Sequence, residues 1–180
     1  MTRSSTLRSW AEGLYERYAA DIAALMGAEE VPTITIHVER LGPGAAWTNG
    51  TDVFLSKPWF TQHPDDIGGV LHEFTHAIMR APTYDETTIW LIEGLADYVR
   101  DEAGHDAPWT QAHYEPGKAM AGYQTTAHFL RYLERTHPGT IKRLAQALMA
   151  DTYAPDLFRQ CTGKPLAVCV SDYEAGSTTA

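Results

Sequence analysis

Two histidines stand four apart, with a glutamate directly after the first, at His72-Glu73-Phe74-Thr75-His76 within GGVLHEFTHAIMR, residues 68–80. On a helix, positions i and i+4 share one face, so both imidazoles can converge on one ion. Glu73 projects to the side of the pair, where it can reach a water bound to that ion and take its proton. The chemistry offered is metal-assisted hydrolysis with Glu73 as general base. The plainer reading is two exposed histidines on a surface helix. The rest of the helix argues against it. At 100° per residue, Ile67, Val70, Leu71, Phe74 and Ile78 form one apolar face, and His72 and His76 lie opposite beside Gly68 and Gly69. A solvent face would carry charges there; glycines imply that a second element or a ligand approaches closely. Asp65 and Asp66 supply the N-cap and a favourable charge at the helix start.

A catalytic zinc takes three protein ligands and keeps one position open. The third is expected from TTIWLIEGLADYVRDEAG, residues 87–104, a helix capped by Thr87 or Thr88 and stopped near Gly104. Glu93, Ala96, Asp97 and Arg100 share one of its faces. Glu93 suits the third ligand. Asp97, one turn later, suits a hydrogen-bond acceptor for the second ring nitrogen of a ligand histidine. The alternative is a charge-laced solvent face. A structural zinc site is disfavoured, because such sites close with four ligands and this set offers three.

The elements that must hold these residues are legible in the periodicity. Thr6 to about Met26 reads as a helix, with Leu7, Trp10, Leu14, Tyr18, Ile22 and Leu25 at three- and four-residue steps. VPTITIHVE alternates as a half-buried strand, with His37 as a sheet-face residue. In AAWTNGTDVFLS, Asn49-Gly50 predicts a two-residue type I′ hairpin. After Pro64 the pattern is helical to the end, interrupted by turn clusters. Strands first and helices after make an α+β domain. The expected unit is a single domain over residues 1–180, with 1–5 and 174–180 frayed.

Length and composition agree with a globular chain: 180 residues, 44% hydrophobic and 11% aromatic. A net charge of −9 argues against nucleic acid or an anionic membrane surface as partner. No stretch approaches the roughly 20 apolar residues of a membrane span. No apolar run follows the opening MTRSSTLRSW, so the chain as written reads as cytoplasmic, or as secreted after removal of a leader. Cys161 and Cys169 fit no zinc pattern and are either one disulfide or two buried thiols. Nothing in the sequence speaks to oligomeric state.

HExxH followed by ExxxD on a second helix resembles the gluzincin metallopeptidases. More closely, GGVLHEFTHAIM, LIEGLADYVR and GYQTTAHFLRYLE together resemble the basic secretory protein family of plants and bacteria, from about Ile34 to about Leu166. That resemblance implies a zincin-like fold: a small N-terminal β-sheet with a hairpin, the active-site helix, and a helical C-terminal part. It implies a peptidase holding one Zn2+ on His72, His76 and Glu93, with Glu73 as base and a peptide or protein as substrate. The matching block places Tyr123 at a helix start as the first candidate for stabilising the transition state, with His128 the second. This chain is acidic, has no visible leader, and leaves only sixteen residues between His76 and Glu93, so the connection must turn back quickly through APTYDET.

Peptidases of this kind hold an extended substrate against a strand edge, and TDVFLS is the expected edge. Trp59, Phe60, Tyr84 and Trp109 are aromatic candidates for the cleft, with simple packing the plainer role; His105 and His113 are expected in solvent. Two alternatives to a general peptidase are a narrow-specificity intracellular processing protease and a non-catalytic zinc-containing module that binds a peptide or partner.

Overall fold

The computed structural model describes residues 3–40, 44–105 and 107–177. Helix α1 (Arg3–Met26) opens the chain and buries Ala11, Leu14, Ile22 and Met26, with Trp10, Tyr18 and Leu25 on the flanks of that face. Three strands follow: β1 (Thr35–Glu39), β2 (Ala46–Asn49) and β3 (Asp52–Ser56). They form a sheet in the order β1-β3-β2, with β1 parallel and β2 antiparallel to β3.

Two expectations about the sheet are corrected. Asn49 pairs with Asp52, so the turn residues are Gly50 and Thr51, one position later than the Asn49-Gly50 hairpin. Gly50 has φ 58 and Thr51 has no positive φ, which matches a type II′ turn, where only the first central residue needs the left-handed region. The strand in TDVFLS, β3, is central, and β1 and β2 form the edges, β2 being the one beside α3 and the cleft.

The helical part begins earlier than Pro64. Helix α2 (Lys57–Gln62) starts directly after β3, with Pro58 in its first turn and Ser56 as N-cap accepting from the Trp59 backbone N–H. Helix α3 (Ile67–Met79) is capped by Asp66, whose side chain accepts from Gly69 N at 2.9 Å. A side chain at Gly69 would meet that carboxylate at 2.8 Å, so the glycine is needed for the cap. Helix α4 (Ile89–Glu102), α5 (Tyr123–Thr136), α6 (Thr140–Met149), α7 (Leu157–Thr162) and α8 (Leu166–Ser177) complete an α+β arrangement of eight helices and three strands among the described residues.

Helix α3 is buried nearly all round: α1, α4 and α6 surround it and the sheet lies across it. Its apolar residues Val70, Leu71, Phe74 and Ile78 are sealed in the core with Tyr15 packed edge-on to Phe74. Helices α4 and α5 cross closely at Gly94, where any Cβ would sit 2.1 Å from the Thr126 methyl. That contact fixes the helix carrying Glu93 against the helix carrying Tyr123. No helix among the described residues is long and apolar enough to cross a membrane.

Candidate metal centre

Helices α3 and α4 pack with their polar faces together, and the histidine pair meets Glu93 at that seam. His72 Nε2 lies 3.0 Å from His76 Nε2 and 3.2 Å from Glu93 Oε2, while His76 Nε2 lies 3.6 Å from Glu93 Oε1. Three ligand atoms within 4.8 Å of one another thus converge from two helices. Donors arranged tetrahedrally about an ion at 2.0–2.2 Å stand about 3.3 Å apart, so this set fits one divalent ion. Two imidazoles and a carboxylate are a donor set that zinc accepts.

The second ring nitrogen of His72 is held by Asp97, whose Oδ1 is 2.7 Å from Nδ1. A proton on Nδ1 leaves the Nε2 lone pair directed at the other two ligands. Asp97 is itself anchored: Arg100 Nη1 stands 3.9 Å from its Oδ1, and Arg100 Nη2 donates to Asp66 Oδ1 at 3.0 Å. Asp66 also accepts from Trp59 Nε1 at 2.8 Å. A buried chain of charge therefore runs from the start of α3 through α4 to the imidazole of His72. Burial alone would lower the His72 pKa. The hydrogen bonds with Asp97 and Glu93 outweigh it and raise the metal-free value to about 10. For Glu93, burial works upward, and the hydrogen bonds with His72 and His76 overcome it, holding the carboxyl far below its usual range.

Glu73 is also buried, and its position comes from the sheet. Thr48, on the edge strand β2, donates to Glu73 Oε2 at 2.7 Å. Sequence reasoning missed this contact. Strand alternation puts Ala46 and Thr48 on one face of β2, but nothing local says which helix that face meets. A cavity of about 590 Å³ opens over these groups, bounded by β2 from Ala46 to Asn49, by His72, Glu73 and His76, and by Tyr84 and Tyr123.

Tyr123 starts α5 after Gly122 (φ 86) and itself adopts φ 50, a left-handed conformation that bulky residues rarely hold. Its half-exposed ring lies parallel to the His72 ring, with centroids 6.0 Å apart. Burial, and then the charges of Glu93 and Asp97, push its hydroxyl pKa up to about 12, so it remains a neutral donor. Tyr84, one of the four aromatic candidates for the cleft, does line it, and donates its hydroxyl to Glu93 Oε1. The only sequence signal for it was an aromatic inside the short turn that returns the chain to α4.

His128 is not in the site. Its Nδ1 pairs with the Tyr173 hydroxyl at 2.9 Å, and α5 turns it toward α8 because it lies far around the helix from Tyr123. His105 is not free in solvent, since it hydrogen-bonds Tyr18 at 2.7 Å; His113 is exposed. Neither borders the cavity. His37 is a sheet-face residue, paired with Asp52 and stacked on Phe54. Trp59 and Trp109 pack with His63 away from the cleft, and Phe60 is buried against Trp10. Cys161 and Cys169 are free thiols.

No curated protein and no solved structure matches the chain. A family model described as a peptidase of plants and bacteria, BSP, matches residues 5–173, nearly the whole length. The chain therefore belongs to the basic secretory protein family, the BSP peptidases of plants and bacteria.

Proposed function

We propose that this chain is a single-domain, zincin-like zinc peptidase that hydrolyses peptide bonds at the seam of α3, α4 and β2. The observation that carries the reading is the convergence of His72, His76 and Glu93 beside a buried carboxylate, Glu73, at the floor of an open cleft. His72, His76 and Glu93 would hold the ion, and Asp97 would orient His72. A zinc ion there supplies Lewis acidity, making a water acidic near neutral pH and polarising the scissile carbonyl.

The remaining steps belong to the chain's own groups. Glu73 takes the proton of the attacking water and passes it to the leaving amine, and the Thr48 hydroxyl keeps its carboxylate aimed into the cleft. Tyr123 stays protonated and can donate to the oxyanion as it forms, a contribution typically worth about 3 kcal/mol of barrier. Strand β2 ends the sheet, so its outer backbone groups are available to pair with an extended peptide. Such pairing carries little side-chain information, which suits a peptide substrate of varied sequence.

The test is digestion of a diverse peptide mixture, read by mass spectrometry, with zinc-loaded wild type beside Glu73→Ala. Wild type is expected to cleave, and Glu73→Ala to bind one zinc per chain without cleaving. Zinc-loaded wild type that cleaves nothing in the mixture would overturn the reading.

A further inference from the structure

Tyr84 reaches the ligand set from the loop before α4: its hydroxyl donates to Glu93 Oε1. The loop that carries it is buttressed on both sides. Thr83 donates to Asp151 Oδ1 at 2.6 Å and its carbonyl accepts from Thr88 Oγ1 at 3.0 Å. Asp85 accepts from the Thr87 backbone N–H at 2.8 Å and hydroxyl at 2.6 Å. Tyr84 is therefore held from its neighbours, and not by its own burial, since it is 55% exposed. A half-exposed tyrosine on a pinned loop, with its hydroxyl spent on a buried carboxylate, is poorly explained by packing. A phenylalanine would cover the same wall.

The two oxygens of Glu93 stand differently. Oε2 faces His72 Nε2 at 3.2 Å, while Oε1, farther off at 3.6 Å from His76 Nε2, also accepts from the Tyr84 hydroxyl. A carboxylate can ligate an ion through one oxygen or through both. Ligation through both would fill the position that a hydrolytic site must leave open. Resting on the reading of His72, His76 and Glu93 as the ligand set, we propose that Tyr84 is a positioning residue that restricts Glu93 to one ligating oxygen and so preserves the open position. It acts through Glu93.

Tyr84→Phe removes the hydroxyl and keeps the ring, so the fold is expected to survive; metal-free Tm should stay within about 2 °C of wild type, less than 1 kcal/mol for a chain this long. In the cobalt-substituted protein, the visible d–d bands of Tyr84→Phe are expected to shift in position and intensity relative to wild type, because a second carboxylate oxygen takes the place otherwise left to water. Cobalt should be retained against a chelator at least as well as in wild type. Where the peptidase assay works, kcat falls about tenfold or more and KM stays within about twofold. A purely supporting tyrosine would lower metal retention and leave the bands unchanged, and that result overturns the proposal. Identical cobalt spectra in wild type and variant overturn it as well. The spectra and chelator competition decide the matter even if wild type cleaves no peptide, so failure of the peptidase reading stays distinguishable.

Discussion

Asp97→Asn offers a sharp test of how the buried charge chain supports the candidate metal centre. The substitution keeps size and shape and changes only one oxygen for an NH2. Asp97 is 2% exposed; Oδ1 accepts from His72, and Oδ2 has no hydrogen-bond partner. An asparagine that keeps its oxygen toward His72 must bury its NH2 without an acceptor, at about 1–3 kcal/mol. Flipping the amide lets the NH2 donate to Nδ1 instead, which moves the imidazole proton to Nε2 and blocks the nitrogen an ion needs. Either outcome also strips a negative charge from beside Arg100. Loss of such an orienting partner typically lowers metal affinity about 10–100-fold, which is about 1.4–2.7 kcal/mol. At roughly 2–4 °C per kcal/mol for a chain of this length, the metal-free protein should melt about 2–12 °C below wild type. Competition against a zinc-chelating dye measures the first quantity and scanning calorimetry the second. Zinc affinity within about threefold of wild type, with normal stoichiometry, would refute the claim that Asp97 orients His72.

Three further predictions follow from the same geometry. His72 has a raised pKa in the metal-free protein, so its contribution to stability is complete below the unfolded value near 6.5 and is lost as pH rises toward about 10. Metal-free Tm should therefore fall across that interval more steeply in wild type than in His72→Gln, and zinc binding near pH 7 should release a proton, read by calorimetry in buffers of different ionisation enthalpy. Gly94→Ala places a methyl into Thr126 and should cost about 1–3 kcal/mol while weakening zinc binding through displacement of Glu93. Pairing it with Thr126→Ser, which removes the 2.1 Å contact and keeps the hydroxyl, should restore part of both losses; no restoration in the double variant would locate the strain elsewhere. Thr48→Val frees Glu73 from β2 and should lower kcat about tenfold while leaving zinc affinity unchanged. Equal loss of zinc would show that Thr48 supports the fold and not the base.

Local sequence determined more of the site than of the sheet. The 3.6-residue period is enough to set His72 with His76 on one face of α3, and Glu93 with Asp97 on one face of α4, because helical neighbours are fixed by backbone geometry alone. Asp66 as cap is equally local, since its carboxylate reaches the N–H three residues on. The hairpin existed where Asn49-Gly50 signalled it, but its register moved by one. A glycine serves the first position of a type II′ turn as readily as the second of a type I′ turn, and cross-strand pairing made the choice. Which strand formed the edge was likewise beyond the chain's local pattern. β1 pairs in parallel with β3 directly, skipping β2 in sequence, and that pairing depends on where α1 and α3 bury the sheet.

Tertiary structure alone decided the partners. Thr48 meets Glu73 across 25 positions, Arg100 meets Asp66 across 34, and His128 is drawn 45 positions along to Tyr173 and out of the site. Tyr84 is only nine positions from Glu93, yet a turn residue's direction follows from how its loop is tied, here to Asp151 on the far side of the molecule's sequence. A single chain states which groups are available and which share a face. Which faces meet is set by the burial of apolar surface around α3, and the polar contacts of the candidate metal centre form where that burial leaves them.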